Sequence, residues 1–228
     1  MVNFLGYNKI ICLGSNCYAK MLLDSGLKIK QNTHFFDYIG TSMWSILELL
    51  KNNFDGMYER ENYKKIRVLK SEGDDFMITN IKYYIRVKHD FKQNFKVGVE
   101  DEIKEEEFKK FIEKYKRREE RIKEIFDSEE AILFIRYEEQ NQNRINYYEN
   151  KIEEYEGIIK FLKEMRNKND NTSMIYLSET RETNYDKDNR ILTLNVKEKI
   201  NHWSKAPDIL KKVILKNEEE LKKIELVN

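Results

Sequence analysis

Short apolar runs alternate along the chain with longer stretches in which apolar residues recur every three or four positions. The short runs predict strands at 9–13, 76–88, 131–136, 173–178 and 190–196, most of them buried on both faces. The longer stretches predict amphipathic helices at 17–26, 42–53, 103–126, 145–166 and from Pro207 to about Leu226. Alternating strands and helices imply crossover connections and a parallel sheet. We therefore expect a single α/β domain over residues 1–228, a three-layer arrangement of a mainly parallel sheet with helices on both faces.

Turn and capping residues agree with these boundaries. Gly26 suits the end of the first helix, Ser42 the start of the second, and Pro207 a first helical turn. The stripe in 145–166 has the spacing of a coiled coil, but it lasts under three heptads, which favours packing against the sheet. Residues 54–75 carry no clear pattern. An α+β papain-like fold is the alternative architecture.

Composition narrows the function classes. Lys and Arg number 42 against 41 Asp and Glu, a formal charge of +1, so no overall field favours nucleic acid or an anionic membrane as a partner. The charge-dense stretch at 100–126 alternates in sign at helical neighbour spacing, which is typical of a solvated helix face. No pattern supports a homo-oligomer, although one is compatible with the sequence.

The two cysteines favour a reducing compartment. Cys12 falls inside the first predicted strand and Cys17 beyond its end, so they are poorly placed for a disulfide, and their spacing fits no common zinc site. Met1 is not followed by a basic and then apolar leader, and no run of 18 or more apolar residues occurs. We expect a soluble, cytoplasmic protein that contacts neither membrane nor nucleic acid.

Common nucleotide, hydrolase and zinc-protease motifs are missing from the sequence, namely GxGxxG, GxxxxGK[ST], GxSxG and HExxH. No two of the three histidines have the spacing of metal ligands. The sequence therefore predicts neither a cofactor nor a metal.

Polar and reactive residues follow several predicted strands. The first strand leads into Gly14, Ser15, Asn16 and Cys17, the second into His89 and Asp90, the third ends at Arg136, and the fourth ends at Ser178 and Glu179. In a parallel sheet, ligands bind outside the carboxyl ends of the strands. If the strands are parallel and adjacent, these groups share one edge and form the candidate site.

The residue types at this edge suit attack by a thiol. Cys17 would be the nucleophile, His89 the general base, and Asp37 or Asp90 the carboxylate that orients the imidazole. The Cys17 N–H with the side chain of Ser15 or Asn16 would bind the oxyanion.

Other residues have alternative roles. Arg136 could anchor a substrate carboxylate or phosphate, with Glu179 also facing the substrate. His202 is the alternative base. Cys12 suits the core and His34 a packed loop, and a free cysteine such as Cys17 is often simply buried.

Several segments together resemble a known family. "LGSNCYAKMLLDSGL", "HFFDYIG", "KYYIRVKHDF", "FKKFIEKYKRREERIKEIF" and "AILFIR" are similar to the DUF1796 proteins, described as papain-like cysteine peptidases, over about residues 9–180. The resemblance implies a nucleophile at Cys17, a turn glycine at Gly14, an acidic position at Asp37 and a histidine position at His89. Phe35 and Tyr38 stand where the family usually has Pro and Trp.

These observations together predict a cysteine-dependent hydrolase or acyl transferase. A peptide or isopeptide is the substrate that the resemblance implies. One alternative is a catalytically inactive binding or scaffold protein with the same fold, in which Cys17 is buried and inert. Another is an esterase-like, glycan- or nucleotide-processing enzyme that uses the same edge without covalent chemistry at Cys17.

Overall fold

The structure is a computed structural model that describes residues 4–70, 73–87, 89–91, 103–138, 152–200 and 202–225. Its strands are β1 (Lys9–Cys12), β2 (Ile39–Gly40), β3 (Tyr63–Lys70), β4 (Gly73–Asn80), β5 (Ile85–Val87), β6 (Ile132–Glu138), β7 (Thr172–Ser178), β8 (Asn184–Asp186) and β9 (Ile191–Asn195). Five of them form a sheet in the order β1-β6-β7-β9-β8. β1, β6, β7 and β9 are parallel, and only the edge strand β8 is antiparallel to its neighbour. The predicted mainly parallel sheet is confirmed.

Helices cover both faces of this sheet. They are α1 (Tyr18–Met21), which continues as a π-helix over Leu22–Gly26, α2 (Met43–Lys51), α3 (Glu105–Phe126), α4 (Glu154–Arg166), α5 (Ala206–Lys216) and α6 (Glu218–Leu221), with short 3-10 turns at Arg60–Asn62 and Trp203–Lys205. Alternate residues of β6 divide between two apolar cores, because successive side chains of a strand point to opposite faces. Phe134 packs on Phe161 of α4, with ring centroids 4.9 Å apart. Leu133 and Ile135 face the core that contains α1, α5 and α6. The three-layer prediction is therefore confirmed.

A second, antiparallel sheet was not predicted. It has the order β2-β5-β4-β3, and β3 lies within the segment that carried no clear pattern. The single strand predicted at 76–88 is wrong. β4 ends at Asn80, whose side-chain Oδ1 accepts hydrogen bonds from the N–H groups of Lys82 and Tyr83, each at 3.1 Å. These bonds stabilise a turn, and the chain then returns as β5.

Several predicted helix boundaries hold and two do not. Ser42 caps α2 by accepting a hydrogen bond from the Ser45 N–H at 3.1 Å, and Pro207 lies in the first turn of α5. α4 begins only at Glu154, while residues 145–151 of the predicted helix lie outside the described residues. The last predicted helix is interrupted at Asn217, whose side-chain amide donates to the Val213 carbonyl at 2.7 Å and competes with regular helix bonding. No helix in the described ranges is long and apolar enough to cross a membrane.

Candidate active site

The turn that follows β1 has no space for a side chain at Gly14. A Cβ atom at Gly14 would lie 2.2 Å from the carbonyl oxygen of Phe36 and 2.7 Å from that of Ile39. The N–H of Thr41 donates to the Gly14 carbonyl at 2.9 Å. Glycine at position 14 thus allows residues 14–17 (the 14–17 turn) to pack directly on residues 34–41 (the 34–41 segment).

The next two residues of the 14–17 turn are held by their own side chains. The Ser15 hydroxyl donates to the carbonyl of Tyr137, near the end of β6. The Asn16 Oδ1 accepts a hydrogen bond from the N–H of Tyr18 at 2.8 Å, at the start of α1. The Ser15 hydroxyl therefore donates its proton to a backbone carbonyl of the protein. The bond at Asn16 involves only the side-chain oxygen and not the Nδ2 amide group. The two predicted oxyanion donors are thus bound at different places, Ser15 to β6 and Asn16 to the start of α1.

Cys17 and Cys12 lie in different environments. Cys17 is the residue just before α1 and its side chain is partly exposed, while Cys12 is 1% exposed in β1. Burial raises the pKa of the Cys12 thiol well above its ordinary value, and the charge of Asp37 adds to this effect. Cys12 is a core residue, as predicted, and Cys17 is the accessible thiol at the carboxyl edge of the sheet.

His89 reaches this edge by a route that the sequence analysis did not anticipate. The strand before it, β5, belongs to the antiparallel sheet and pairs with β2 through Ile39 and Gly40. β2 is part of the 34–41 segment, so it joins β5 to the 14–17 turn. The exposed His89 ring packs edge-on against Tyr38, with centroids 6.0 Å apart and planes at 90°. The assumption that His89 and Asp90 end a strand of the parallel sheet is corrected.

Tyr38 contacts His89 and belongs to the 34–41 segment, which packs on the 14–17 turn. Its pKa is raised by burial, by the hydrogen bond that its hydroxyl donates to Asp24, and by the charges of Asp24, Asp37 and Cys17. The neighbourhood of Tyr38 therefore includes His89 and the turn that contains Cys17. The sequence analysis noted Tyr38 only as a replacement for tryptophan, and nothing in its spacing reveals this position.

A buried group of charged residues lies behind this neighbourhood. Lys20 is 2% exposed, and its Nζ lies 2.9 Å from Asp24 Oδ1 and 3.8 Å from Asp37 Oδ2. Asp37 Oδ2 also accepts a hydrogen bond from the His34 N–H at 2.8 Å. Sequence reasoning missed Lys20 and Asp24, although their four-residue spacing on a helix is the signal for an ion pair.

Burial sets the pKa values of two members of this group. Burial raises the pKa of Asp37 to about 6, although the charge of Lys20 and the His34 N–H oppose the shift. Burial also lowers the pKa of His34 to about 4, helped by the charges of Lys20 and Arg121. His34 is packed at 5% exposure, as expected for a loop residue between phenylalanines. Asp37 therefore contacts His34 and Lys20 in the interior of the protein.

Asp90 is bound to α3. Its Oδ1 forms an ion pair with Lys114, and its Oδ2 accepts a hydrogen bond from the Tyr115 hydroxyl at 3.2 Å. Both carboxylate oxygens thus have partners on α3, and Asp90 ties the residues after β5 to that helix.

Arg136 is directed into the protein instead of toward a substrate. Its side chain is fully buried and donates to the carbonyl oxygens of Leu13 and Thr41, each at 2.8 Å. It also pairs with Glu154 at the start of α4. The expectation of a substrate anchor is corrected, because β6 runs two residues further than predicted and Arg136 lies within it.

The remaining predicted residues lie at other points of the carboxyl edge. Glu179 is partly exposed after β7 and accepts a hydrogen bond from the Tyr137 hydroxyl. Ser178, which is buried, donates to Glu138 at 2.8 Å. Within the described residues, the ring of the exposed His202 contacts Trp203 and the Ser204 hydroxyl after β9. Of the two predicted bases, His89 is the one whose recorded contacts connect it to the surroundings of Cys17.

Metal ligands do not cluster in the described ranges, where no three His, Cys, Asp or Glu side chains are arranged to hold an ion.

A family model described as "Putative papain-like cysteine peptidase (DUF1796)" matches residues 8–178, three quarters of the 228-residue chain. The match extends from just before β1 to the end of β7 and includes Cys17 and His89. No curated protein and no solved structure matches the chain.

Proposed function

Because the chain belongs to the family described as "Putative papain-like cysteine peptidase (DUF1796)", we propose that it is a cysteine-dependent hydrolase with Cys17 as nucleophile. One observation carries the proposal. The accessible thiol lies in the turn after β1, which packs on the 34–41 segment, and Tyr38 of that segment contacts the exposed imidazole of His89. Peptide or isopeptide bonds are the substrates that membership of the family favours.

In the proposed reaction, His89 takes the proton of the Cys17 thiol as the sulfur attacks a carbonyl carbon. The tetrahedral intermediate collapses when the imidazolium gives that proton to the leaving amine, and an acyl group remains on sulfur as a thioester. His89 then takes a proton from water, which attacks the thioester. Release of the acid returns the proton to sulfur and regenerates the thiol.

The oxyanion would be held by the side-chain amide of Asn16 together with the Cys17 N–H. Asn16 is well suited because its Oδ1 is fixed by the Tyr18 N–H, which orients the whole amide group. Ser15 contributes by fixing the turn through Tyr137. Asp90, next to His89 in the chain, contributes by holding that part of the chain against α3 through Lys114 and Tyr115.

The nucleophile is tested by the rate at which iodoacetamide alkylates Cys17 between about pH 4 and 10, in a Cys12→Ala background. We expect half-maximal reactivity below about pH 8.5, the ordinary thiol pKa. This reactivity at low pH should be lost in His89→Ala and kept in His202→Ala. Loss in His202→Ala alone would move the base to that residue. A Cys17 that stays inert until the protein unfolds would refute the nucleophile and favour the binding-protein alternative.

Acyl transfer is tested separately with activated peptide esters. Mass spectrometry of the quenched reaction should find the acyl mass on the peptide that contains Cys17. The adduct should be missing in Cys17→Ala and should decay with time in the unmodified protein. An adduct confined to lysines, or one that never decays, would contradict hydrolysis through a thioester.

A further inference from the structure

Tyr38 has a backbone conformation that is unusual for an aromatic residue. Its φ angle is +64°, in the left-handed region that most side chains avoid because Cβ approaches the following carbonyl oxygen. The surrounding structure enforces it. Just before Tyr38, the Asp37 N–H bonds to the His34 carbonyl, and just after it β2 pairs with β5. Such enforced strain concentrates at functional sites.

The Tyr38 phenol is held from the opposite direction by the helix that follows Cys17. Its hydroxyl donates to Asp24 Oδ2 at 3.0 Å, and the other oxygen of Asp24 lies 2.9 Å from Lys20 Nζ. Asp24 belongs to the π-helix, a form of helix that is rare and often found at functional sites. The phenol is therefore fixed at both ends, by its backbone and by its hydroxyl.

The Tyr38 ring also lies against His89. The perpendicular arrangement at 6.0 Å is a favoured geometry for two aromatic rings. His89 is exposed, and an exposed imidazole samples several rotamers unless a neighbour restrains it. We propose that Tyr38, held by Asp24, is a positioning residue that fixes the imidazole of His89 relative to the Cys17 thiol. This inference rests on the function proposed above.

The test separates the ring of Tyr38 from its hydroxyl. Tyr38→Leu removes the ring, while Tyr38→Phe keeps the ring and loses the bond to Asp24. We expect the rate of Cys17 alkylation near pH 6 to fall about two- to tenfold in Tyr38→Leu, with the pH profile shifted toward that of His89→Ala. Tyr38→Phe should lie between Tyr38→Leu and the unmodified protein.

Tyr7→Phe is the matched control, because it deletes a phenolic hydrogen bond, to the Ile224 carbonyl at 2.8 Å, that involves no residue of the candidate site. Its pH profile should not move, even if its stability falls. If His89→Ala abolishes the reactivity at low pH while Tyr38→Leu, still folded by circular dichroism, keeps the unmodified profile, the positioning role is refuted and the proposed function stands. If His89→Ala has no effect, the positioning role is refuted together with His89 as base, and the proposed function then stands only if His202→Ala loses the reactivity at low pH.

Discussion

Replacing Arg136 by methionine should lower the free energy of unfolding by about 3–5 kcal/mol. Methionine keeps most of the apolar stem of the arginine, so the change removes the guanidinium and little packing. The side chain is fully buried, and its partner Glu154 is only 12% exposed. Loss of the guanidinium therefore leaves a nearly buried carboxylate without its counterion.

The magnitude follows from the groups that lose their donor. Removing one partner of a buried ion pair costs about 3–5 kcal/mol, and a buried carbonyl left without a donor costs about 1–3 kcal/mol. Two carbonyls are affected, those of Leu13 and Thr41. These contributions overlap, because the figure for the ion pair already includes groups left unsatisfied around it. The ion-pair range is therefore the appropriate expectation.

The measurement is urea unfolding followed by far-UV circular dichroism, with the midpoint compared at an unchanged slope. The double variant Arg136→Met with Glu154→Leu is the control, since it removes the stranded charge and should recover part of the lost stability. A loss below about 1 kcal/mol, the value of an exposed pair, would refute the reasoning.

Two further predictions concern the support of the site. Gly14→Ala should lower stability by about 1–3 kcal/mol, measured by thermal unfolding, because its Cβ would collide with the Phe36 carbonyl; an unchanged Tm would contradict the close packing. In His34→Gln, the free energy of unfolding should fall as pH rises from about 4 to 6. The pKa of Asp37 is about 6 in the folded protein against an ordinary value of 3.8, so over this range Asp37 loses the proton that burial favours. In Asp37→Asn, the free energy of unfolding should instead rise over the same range. The pKa of His34 is about 4 in the folded protein against an ordinary value of 6.5, so raising the pH removes a proton whose charge burial disfavours. Slopes of the same sign in urea titrations of these two variants would contradict the assignment.

The parallel sheet could be predicted because its strands are continuous apolar runs, as Ile132–Ile135 shows, and such runs need burial on both faces. The position of Cys17 followed from the same sheet, since residues after a parallel strand lie at its carboxyl edge. The hairpin of β3 and β4 could not be predicted. Lys64 and Lys65 are adjacent within β3 and break the simple alternation of apolar and polar residues.

The support of the site was harder to foresee. The carbonyls that hold Arg136 belong to residues 95 and 123 positions away in the chain, and nothing in the local sequence indicates them. Tyr38 was not predicted for a related reason. The role that we propose for it depends on β5, which belongs to a different sheet from β1. The residue types near the end of a strand indicate which reactions a site could perform. Whether each side chain faces a substrate or the interior depends on the residue at which the strand ends.

The bond from Ser15 to the Tyr137 carbonyl spans 122 positions, which has a consequence for synthesis of the chain. Cys17 is synthesised more than a hundred residues before β6, which pairs with β1 and accepts this bond. Contacts of such long range form late in folding. The Cys17 thiol is thus present in the nascent chain well before the central sheet is complete, so the reactivity that we propose for it depends on completion of that sheet.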